Sequence, residues 1–519
     1  MAWPLAALIA TALRTAAAST AACGAALHNA TECHGQQISS LAAGGQLSEC
    51  CATCQRTHGC GGFTFAPGAT GTDCWLHTAG QGCALRAAEG RVAGVLHASP
   101  TPAAAATRLQ AHAFNLSAVR LVADAGNQFA SAQALNTQFL RYLDPDRLLH
   151  AWRMVAQLQP YGLNGSVSYG GWMTLGPHQH ADLGHFSGHF LSASAFTTAA
   201  TGDSAIRQKS VYLVGEIAKC QDAICAVNES LCGYVGADSP VLLDRLESHQ
   251  FKDQHSVIVY YAAHKIMAGL LDTYEQTQNA QAWSVLLKMA AFFKKRIDRL
   301  VAAKGLGWWE GCLEAEFGGM NEVAYNLYAI TGDAEHMQLG DYFYKRVFMD
   351  PIGRSEDEYA LTSWHANTHL PQIVGVGRGW ETTGNATLHF ITTEFMRMLT
   401  AHYTYAATGG SNQDEHWFHP DQLGAAVATT PGKDSAGYHT EESCSQYNVL
   451  KIVRHLFRWA PSAALGDDYE HKLNNGVLGI QKTGKVGEMV YMTVSPLPVL
   501  PLPVCASACS VLSVAVLTA

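Results

Sequence analysis

A carboxylate and a thiol lie two residues apart in the sequence Glu442-Ser443-Cys444. At this spacing both side chains can face one metal ion or one substrate. They precede residues 449–459, whose apolar spacing predicts a helix. A second carboxylate, Glu415, follows a glycine-rich polar stretch that predicts a loop. This grouping at loop-to-helix junctions indicates chemistry, although a solvated glutamate and a disulfide-bonded or buried free cysteine are the alternatives.

Histidines form the second candidate group, at His178, His180, His185 and His189. His185 and His189 are four residues apart, so a helix would place them on one face at a spacing that can bind a metal. The pair lacks the intervening glutamate of the metalloprotease motif, so donors to sugar hydroxyls fit it better than zinc ligands. Core histidines with satisfied hydrogen bonds are the alternative.

Two more histidines complete the candidate set. His264 falls on an otherwise apolar face of a predicted helix, where a satisfied core histidine is the alternative to a ligand contact. His365 lies in a short polar run that ends at Pro371. Because proline disfavours the helical conformation in the residue before it, this run predicts a loop at a helix edge, facing ligand or solvent.

Helical hairpins are predicted to position these side chains. Apolar residues recur at helical spacing in residues 257–271 and 283–300. Glycine suits the left-handed residue that ends a helix, and Asp or Asn suits the cap that begins the next. Such junctions occur at Thr201-Gly202-Asp203, Thr331-Gly332-Asp333 and Thr383-Gly384-Asn385. The pattern predicts a mainly α fold of stacked helical pairs, closed into a toroid of roughly twelve helices.

Composition limits the possible partners. The 519 residues carry a formal net charge of −9, and 48% of them are hydrophobic, which allows two or three domains with a large core. No basic stripe is present, so a nucleic-acid partner is not expected. No apolar run reaches the roughly 20 residues that a membrane span needs.

Cysteines cluster ahead of the helical region. Eight of the 15 lie between residues 23 and 83, a density that predicts a disulfide framework formed in an oxidising compartment. Residues 23–98 resemble a PAN or apple-type module, an α+β unit in which a short helix with paired cysteines packs on a small sheet. Within it a structural disulfide explains Cys51 and Cys54 better than a metal or redox motif does. Residues 99–112 predict a linker.

Secretion is predicted from the first 22 residues, which are apolar, rich in alanine and end in small residues, as in a signal peptide. A disordered alanine-rich leader is the alternative. Asn-x-Ser/Thr sequons agree with a secreted glycoprotein and occur at Asn29, Asn115, Asn164, Asn228 and Asn385. Residues 493–519 are rich in proline, low in complexity and do not continue the helical pattern.

The candidate segments, in this order, resemble glycoside hydrolase family 127, formerly a domain of unknown function and typified by β-L-arabinofuranosidases. The similar segments are residues 184–191, 264–272, 318–322, 365–368, 404–415 and 442–451. Residues 447–448 and the sequence Arg454-His455-Leu456-Phe457-Arg458-Trp459 are most similar to the plant and algal branch.

This resemblance implies that residues 113–492 form an (α/α)6 barrel catalytic domain that hydrolyses terminal β-L-arabinofuranosyl groups with retention. It implies a cysteine thiolate as nucleophile, a glutamate acid/base, and a zinc ion held by one glutamate and three cysteines. Zinc would keep the thiol deprotonated at neutral pH.

Site residues carry over by their match to the family motifs. Glu415 matches the acid/base, and Glu442 and Cys444 match two zinc ligands. The sugar-contacting positions are matched by His185, His189, His264 and His365.

One part of the family pattern has no counterpart. The other two zinc ligands form an adjacent cysteine pair, one member of which is the nucleophile, at a distance from Cys444 that here falls at residues 517–519. No cysteine stands there, and Cys505 and Cys509 lie too early and lack the family's flanking residues. We therefore expect an incomplete zinc site and no competent nucleophile, with a truncated or frame-shifted gene model as the simplest explanation.

The sequence thus predicts a secreted glycosidase by lineage, directed at an arabinofuranoside-containing glycan or glycoprotein and inactive as the sequence stands. The second hypothesis is a non-catalytic extracellular carbohydrate-binding protein, which affinity for glycans without hydrolysis would favour. The third is a protein-binding module with the helical part as scaffold, which the absence of any sugar binding would indicate.

Overall fold

The computed structural model describes residues 25–34, 37–41, 50, 53–54, 60–66, 74–78, 84–96, 108–124, 126–159, 168–169, 183–250, 258–355, 359–428 and 439–494. The predicted signal peptide, most of the linker, most of the proline-rich tail, His178 and His180 therefore lie outside the described residues. The N-terminal β-rich part and the helical part are described separately.

An antiparallel sheet of five strands makes up the N-terminal part. Its strands are β1 (Ala25–His34), β2 (Gln37–Leu41), β3 (Cys60–Phe65), β4 (Cys74–Thr78) and β5 (Ala84–Leu96), in the spatial order β1-β5-β3-β4-β2. Phe63 on β3 lies opposite Leu76 on β4, and both are fully buried. A disulfide joins Cys50, a helical residue, to Cys74 on β4, and Cys54 is also disulfide-bonded. The disulfide framework is confirmed at these cysteines, and the apple-type identity stays a prediction.

Helices dominate the rest of the chain, as predicted. They are α1 (Gln128–Tyr142), α2 (Pro145–Val155), α3 (His185–Thr201), α4 (Ser204–Val227), α5 (Val241–Glu247), α6 (Val259–Thr277), α7 (Ala280–Lys304), α8 (Leu306–Cys312), α9 (Met320–Thr331), α10 (Ala334–Tyr342), α11 (Arg346–Arg354), α12 (Ala366–Thr383), α13 (Ala386–His402), α14 (Leu423–Ala428), α15 (Ser443–Trp459) and α16 (Ala463–Lys472). Two short strands, β6 (His439–Glu442) and β7 (Met492–Val494), pair antiparallel beside α15. None of the described helices is long and apolar enough to cross a membrane.

The predicted glycine junctions connect consecutive helices. Gly202 ends α3 with φ 75°, and Asp203 caps α4 through a 3.0 Å bond from the Ile206 amide. Gly332 ends α9 with φ 69° in the same way, before the capping residue Asp333. A fourth junction, which the sequence analysis missed, has Gln278 in the glycine position with φ 56°. Asn279 then caps α7 by accepting from two amides. The helical-pair prediction is confirmed.

Six of these helices line one cavity. Side chains of α3, α6, α9, α12, α15 and α16 line a cavity of 440 Å³, which we call the axial cavity. The ring closes where Gln481, beyond α16, donates to Asn136 on α1 at 3.0 Å. This is the helical barrel that the sequence predicts.

Two glycines let α3 and α6 approach each other closely. A Cβ at Gly188 would lie 2.1 Å from the Lys265 carbonyl oxygen, and one at Gly269 would lie 2.4 Å from the Gly188 carbonyl oxygen. Both values are far inside van der Waals contact, so only glycine fits without separating the two backbones. The approach fixes the relative position of His189, which follows Gly188, and His264, which precedes Lys265.

Two predicted element boundaries were wrong. The run before Pro371 is not a loop, because α12 begins at Ala366 and contains Pro371. Proline removes a backbone donor there. Side-chain hydrogen bonds hold the first turns instead, including one in which Nδ2 of Asn448 donates to Oδ1 of Asn367 at 3.3 Å. Helix α15 begins at Ser443 rather than after residue 448, which places Cys444 inside its first turn.

Candidate active site

Backbone pairing places Glu415. The Ala366 amide donates to the Glu415 carbonyl oxygen at 2.7 Å, and the Trp417 amide donates to the Trp364 carbonyl oxygen at 3.0 Å. These bonds tie the loop after α13 to the start of α12. Asp414 and Glu415 have φ of 46° and 67°, a conformation that costs a residue with a Cβ about 1–2 kcal/mol. The turn aims the Glu415 side chain at His365.

His365 and Glu415 form the first half of the site. The Nε2 atom of His365 lies 3.5 Å from Oε2 of Glu415, while its Nδ1 atom accepts from the Thr368 amide at 3.2 Å. Burial acts to lower the pKa of His365, but the hydrogen bond to Glu415 and the charges of Glu316 and Glu442 outweigh it, so the pKa is raised. His365 therefore carries a proton more readily than a free histidine does.

Glu442, Tyr491 and Cys444 form the second half. Tyr491 lies next to β7, and its hydroxyl donates to Oε1 of Glu442 at 2.5 Å and lies 3.1 Å from the Cys444 sulfur. The pairing of β6 with β7 brings Tyr491 to this place, because Ser443 donates to the Tyr491 carbonyl oxygen at 3.0 Å. Glu442 and Cys444 are both buried, so this is an enclosed polar cluster and not a solvated loop.

The two halves act on each other electrostatically. Burial raises the pKa of Glu442, and the negative charge of Glu415 raises it further, against the Tyr491 hydrogen bond and the charge of His365. The two carboxylates are therefore close enough for their charges to interact. The structure thus brings together Glu415, His365, Glu442 and Cys444, four of the residues that the sequence singled out.

The remaining histidines divide between two places. The His185 ring lies 6.0 Å from the Tyr261 ring, and the Tyr261 hydroxyl has its pKa raised by burial and then by the charges of Cys444 and Glu442. His185 therefore lies near the cluster. His189 and His264 instead line the axial cavity. His264 also accepts from the Gly319 amide at 3.1 Å through Nδ1, which fixes its ring.

Lys265 lies between the cluster and the axial cavity. Burial lowers its pKa to about 8, although the charges of Cys444 and Glu442 on one side and of Glu322 on the other act to raise it. Its ammonium group also lies 4.7 Å from the centre of the Tyr261 ring. The sequence placed Lys265 in a family segment without assigning it a role, and it missed Glu316 and Tyr491 altogether.

Two side chains of the cluster, Glu442 and Cys444, are of the kind that binds zinc. Oε2 of Glu442 is buried and has no hydrogen-bond partner, and the Cys444 sulfur lies beside the same carboxylate, which is a donor pair that suits zinc. In the part of the chain that the structure describes, no group of three or more His, Cys, Asp or Glu side chains is placed to hold a metal ion. The described residues therefore supply half of a tetrahedral site, and we assign no reaction step to a metal.

The geometry supports acid–base chemistry at an enclosed polar centre. A carboxylate, Glu415, lies against a histidine that readily holds a proton, and a second carboxylate and a thiol complete the wall. Two carboxyl groups in different environments are the usual catalytic residues of enzymes that cleave glycosidic bonds.

Comparisons with known proteins agree with this reading. Residues 118–499 match the family model described as the β-L-arabinofuranosidase GH127 catalytic domain. The fold is similar to that of a GH127 β-L-arabinofuranosidase from Geobacillus stearothermophilus T6, with 13% identity, a TM-score of 0.53, and coverage of 76% of this chain and 64% of that one. It is also similar to the GH127 β-arabinofuranosidase BT3674, with 12% identity, a TM-score of 0.51, and coverage of 78% and 61%.

The chain therefore spans less than two thirds of the length of either solved structure. No curated protein matches it.

Proposed function

The chain belongs to the GH127 β-L-arabinofuranosidase family, and from this premise we propose that its helical barrel is a glycosidase unit for terminal arabinofuranosyl groups. The observation that carries the proposal is the shared cluster of Glu415, His365, Glu442 and Cys444. The natural ligand would be an arabinofuranoside-containing glycan or glycoprotein.

Glu415 is the proposed acid/base. As an acid its carboxyl group gives a proton to the glycosidic oxygen while the bond from that oxygen to the anomeric carbon breaks, and as a base it takes a proton from water. His365, whose Nε2 atom lies 3.5 Å from Glu415, holds the carboxyl group toward the sugar. His185 is the proposed sugar contact beside Tyr261.

Glu442 and Cys444 are the proposed zinc ligands, and Tyr491 orients them. Zinc, when bound, supplies a stabilised thiolate. The sequence has no adjacent cysteine pair after Cys444, so we propose that this 519-residue chain holds zinc weakly and lacks the nucleophile. Family membership and the cluster support the glycosidase site, and the cysteine content supports its inactivity.

Turnover of an aryl β-L-arabinofuranoside by the 519-residue chain, with zinc supplied, tests this proposal. We expect no release of the aryl group above that of the Glu415→Gln variant. The proposed inactivity would be overturned by turnover that is lost in Cys505→Ala or Cys509→Ala. The control Cys312→Ala should then keep its activity, which would identify one of the two cysteines as the nucleophile.

A non-catalytic sugar-binding role is the second candidate, favoured by the half-formed metal site. A glycan array separates the two: saturable binding of arabinofuranosides with no hydrolysis supports this role, and hydrolysis rules it out.

We also propose that the protein is secreted. The disulfides Cys50–Cys74 and Cys225–Cys232 support passage through an oxidising compartment. Expression in a eukaryotic host tests this, because secreted protein should lose mass on treatment with an N-glycosidase, whereas retention inside the cell with no such loss would contradict it.

A further inference from the structure

The axial cavity has a second, arginine-rich end that the proposed function does not use. The inner end of the cavity is formed by His189, His264, Lys265 and Asn448. None of the four cluster residues lines the cavity. The far end lies at the C-terminal turns of α12 and α15. It is formed by Arg378, Arg454 and Arg458, two of which belong to the sequence Arg454-His455-Leu456-Phe457-Arg458-Trp459.

Arg458 has unused hydrogen-bonding capacity. Its Nε atom is buried without a hydrogen-bond partner, and its Nη1 atom is 3.5 Å from Oε1 of Glu381, too long for a strong charged bond. Glu381 is already occupied by other donors: His455 at 2.8 Å, Trp459 at 2.9 Å and Arg378 at 2.8 Å. The Arg458 side chain is nevertheless 22% exposed, so part of it is accessible to an additional acceptor, which the weakly paired cation would favour.

Arg454 is the second unsatisfied cation. It is exposed at the cavity mouth and makes no hydrogen bond or ion pair with any described residue. Its charge acts on Glu275, Tyr447 and Tyr469. Burial and the charges of Arg454 and Arg378 lower the pKa of Arg458, against the attraction of Glu381. The three guanidinium groups therefore repel one another around a shared opening.

Nearby acids cancel only part of this charge. Glu381 pairs with Arg378 at 2.8 Å and lies 3.5 Å from Arg458, but no described carboxylate forms an ion pair with Arg454. Glu322 is engaged by Lys451 at 2.6 Å. Burial raises the pKa of Asp272 to about 7, so that carboxyl group is only partly ionised at neutral pH. Arg378 and Arg454 both act on Glu275, but burial outweighs them and raises the pKa of that carboxyl group.

The rest of the lining suits a sugar ring. Asp272, Gln276 and Asn326 offer acceptors and amide donors for hydroxyl groups, and Phe114, which is 84% exposed, offers an aromatic face at the mouth. A volume of 440 Å³ lies within the range of small-molecule sites.

We propose that the arginine end of the axial cavity is a second binding site, for a saccharide that bears an oxyanion, either a carboxylate or a sulfate. Arg454 and Arg458 bind the oxyanion, and the amides and Asp272 bind ring hydroxyls. Guanidinium groups suit this role because they match two oxyanion oxygens with paired donors.

Calorimetric titration of the full chain with a uronate disaccharide, its sulfated counterpart, its neutral counterpart and inorganic sulfate tests the proposal. Of the two charged disaccharides, one should bind more tightly. The neutral sugar, which lacks the oxyanion, and inorganic sulfate, which lacks the ring hydroxyls, should each bind at least about tenfold more weakly than that one. The tighter of the two charged sugars identifies the oxyanion.

Arg454→Gln should weaken binding of the charged sugar about tenfold and leave the neutral sugar unchanged. The matched control is Arg207→Gln, which alters another exposed helical arginine and should change neither. Equal binding of charged and neutral sugars, or an unchanged affinity in Arg454→Gln, would overturn the proposal. Inorganic sulfate binding as tightly as the sulfated sugar would overturn the saccharide specificity.

Discussion

The backbone conformation of Glu415 helps to position its carboxylate beside His365. A φ of 67° is costly for glutamate, and the bonds that residues 363–366 make to this turn hold it there. Strain kept at a residue that contacts His365 is consistent with a role for its carboxylate. The sequence could identify Glu415, Glu442 and Cys444, because residue type and family spacing are visible in it.

The sequence could not identify Tyr491. Its contact with Cys444 spans 47 residues and depends on the pairing of β6 with β7, which no local pattern encodes. Glu316 was missed for a similar reason, since only the folded chain brings its charge to His365.

The Glu415–His365 contact makes a prediction at this scale. Glu415→Gln removes the charge that helps to raise the pKa of His365, so that pKa should fall. Titration of the imidazole signal by NMR measures it. The adjacent substitution Asp414→Asn is the control and should leave the pKa of His365 nearly unchanged; equal shifts in the two variants would contradict the direct contact.

At the scale of elements, the helical junctions show how far local sequence rules reach. Glycine and a following Asp or Asn identified three connections, and all three have the expected left-handed glycine. The fourth was missed because Gln278 stands where glycine would. The start of α12 was missed because Pro371 favoured a loop, whereas contacts from other helices stabilise the helix there.

The Gln278 junction predicts a stabilising substitution. Gln278→Gly removes the penalty of a side chain at φ 56° and should raise the free energy of unfolding by about 1 kcal/mol. Chemical denaturation measures this change.

Gly332→Ala is the reverse control. An added Cβ there meets no atom within 4 Å, so only the backbone conformation opposes it, and the free energy of unfolding should fall by about 1 kcal/mol. A Gln278→Gly variant less stable than the unchanged chain would contradict the account of these junctions.

At the scale of the whole molecule, the barrel gathers residues from distant parts of the chain. The sequence predicted the helical pairs, but ring closure rests on contacts such as Gln481 with Asn136, 345 residues apart. The axial cavity is likewise a product of the ring, because six helices contribute to it. Its arginine end was visible in the sequence only as a family motif without a role.

Buried acids give the folded chain a pH-dependent stability. Burial raises the pKa of Asp341 to about 6, against the hydrogen bond from Tyr325 at 2.7 Å. Because this pKa lies above the unfolded value near 3.8, its stabilising contribution is full below about pH 4 and is lost as pH rises through about 6. The loss is up to about 3 kcal/mol.

Asp341→Asn should therefore lessen the fall in unfolding free energy between pH 4 and 7, as measured by denaturation at several pH values. The exposed substitution Asp222→Asn should keep the full fall. A slope in Asp341→Asn that matches the unchanged chain would contradict the assignment.

The central claim is that Glu415, His365, Glu442 and Cys444 form one sugar site in the barrel. Calorimetric binding of a β-L-arabinofuranosyl thioglycoside, which resists hydrolysis, to the 519-residue chain tests it most directly. The account predicts saturable binding that His365→Ala and Glu415→Gln each weaken by roughly tenfold or more, and that the exposed control His419→Ala leaves unchanged. No binding, or equal affinity in all four proteins, would contradict it.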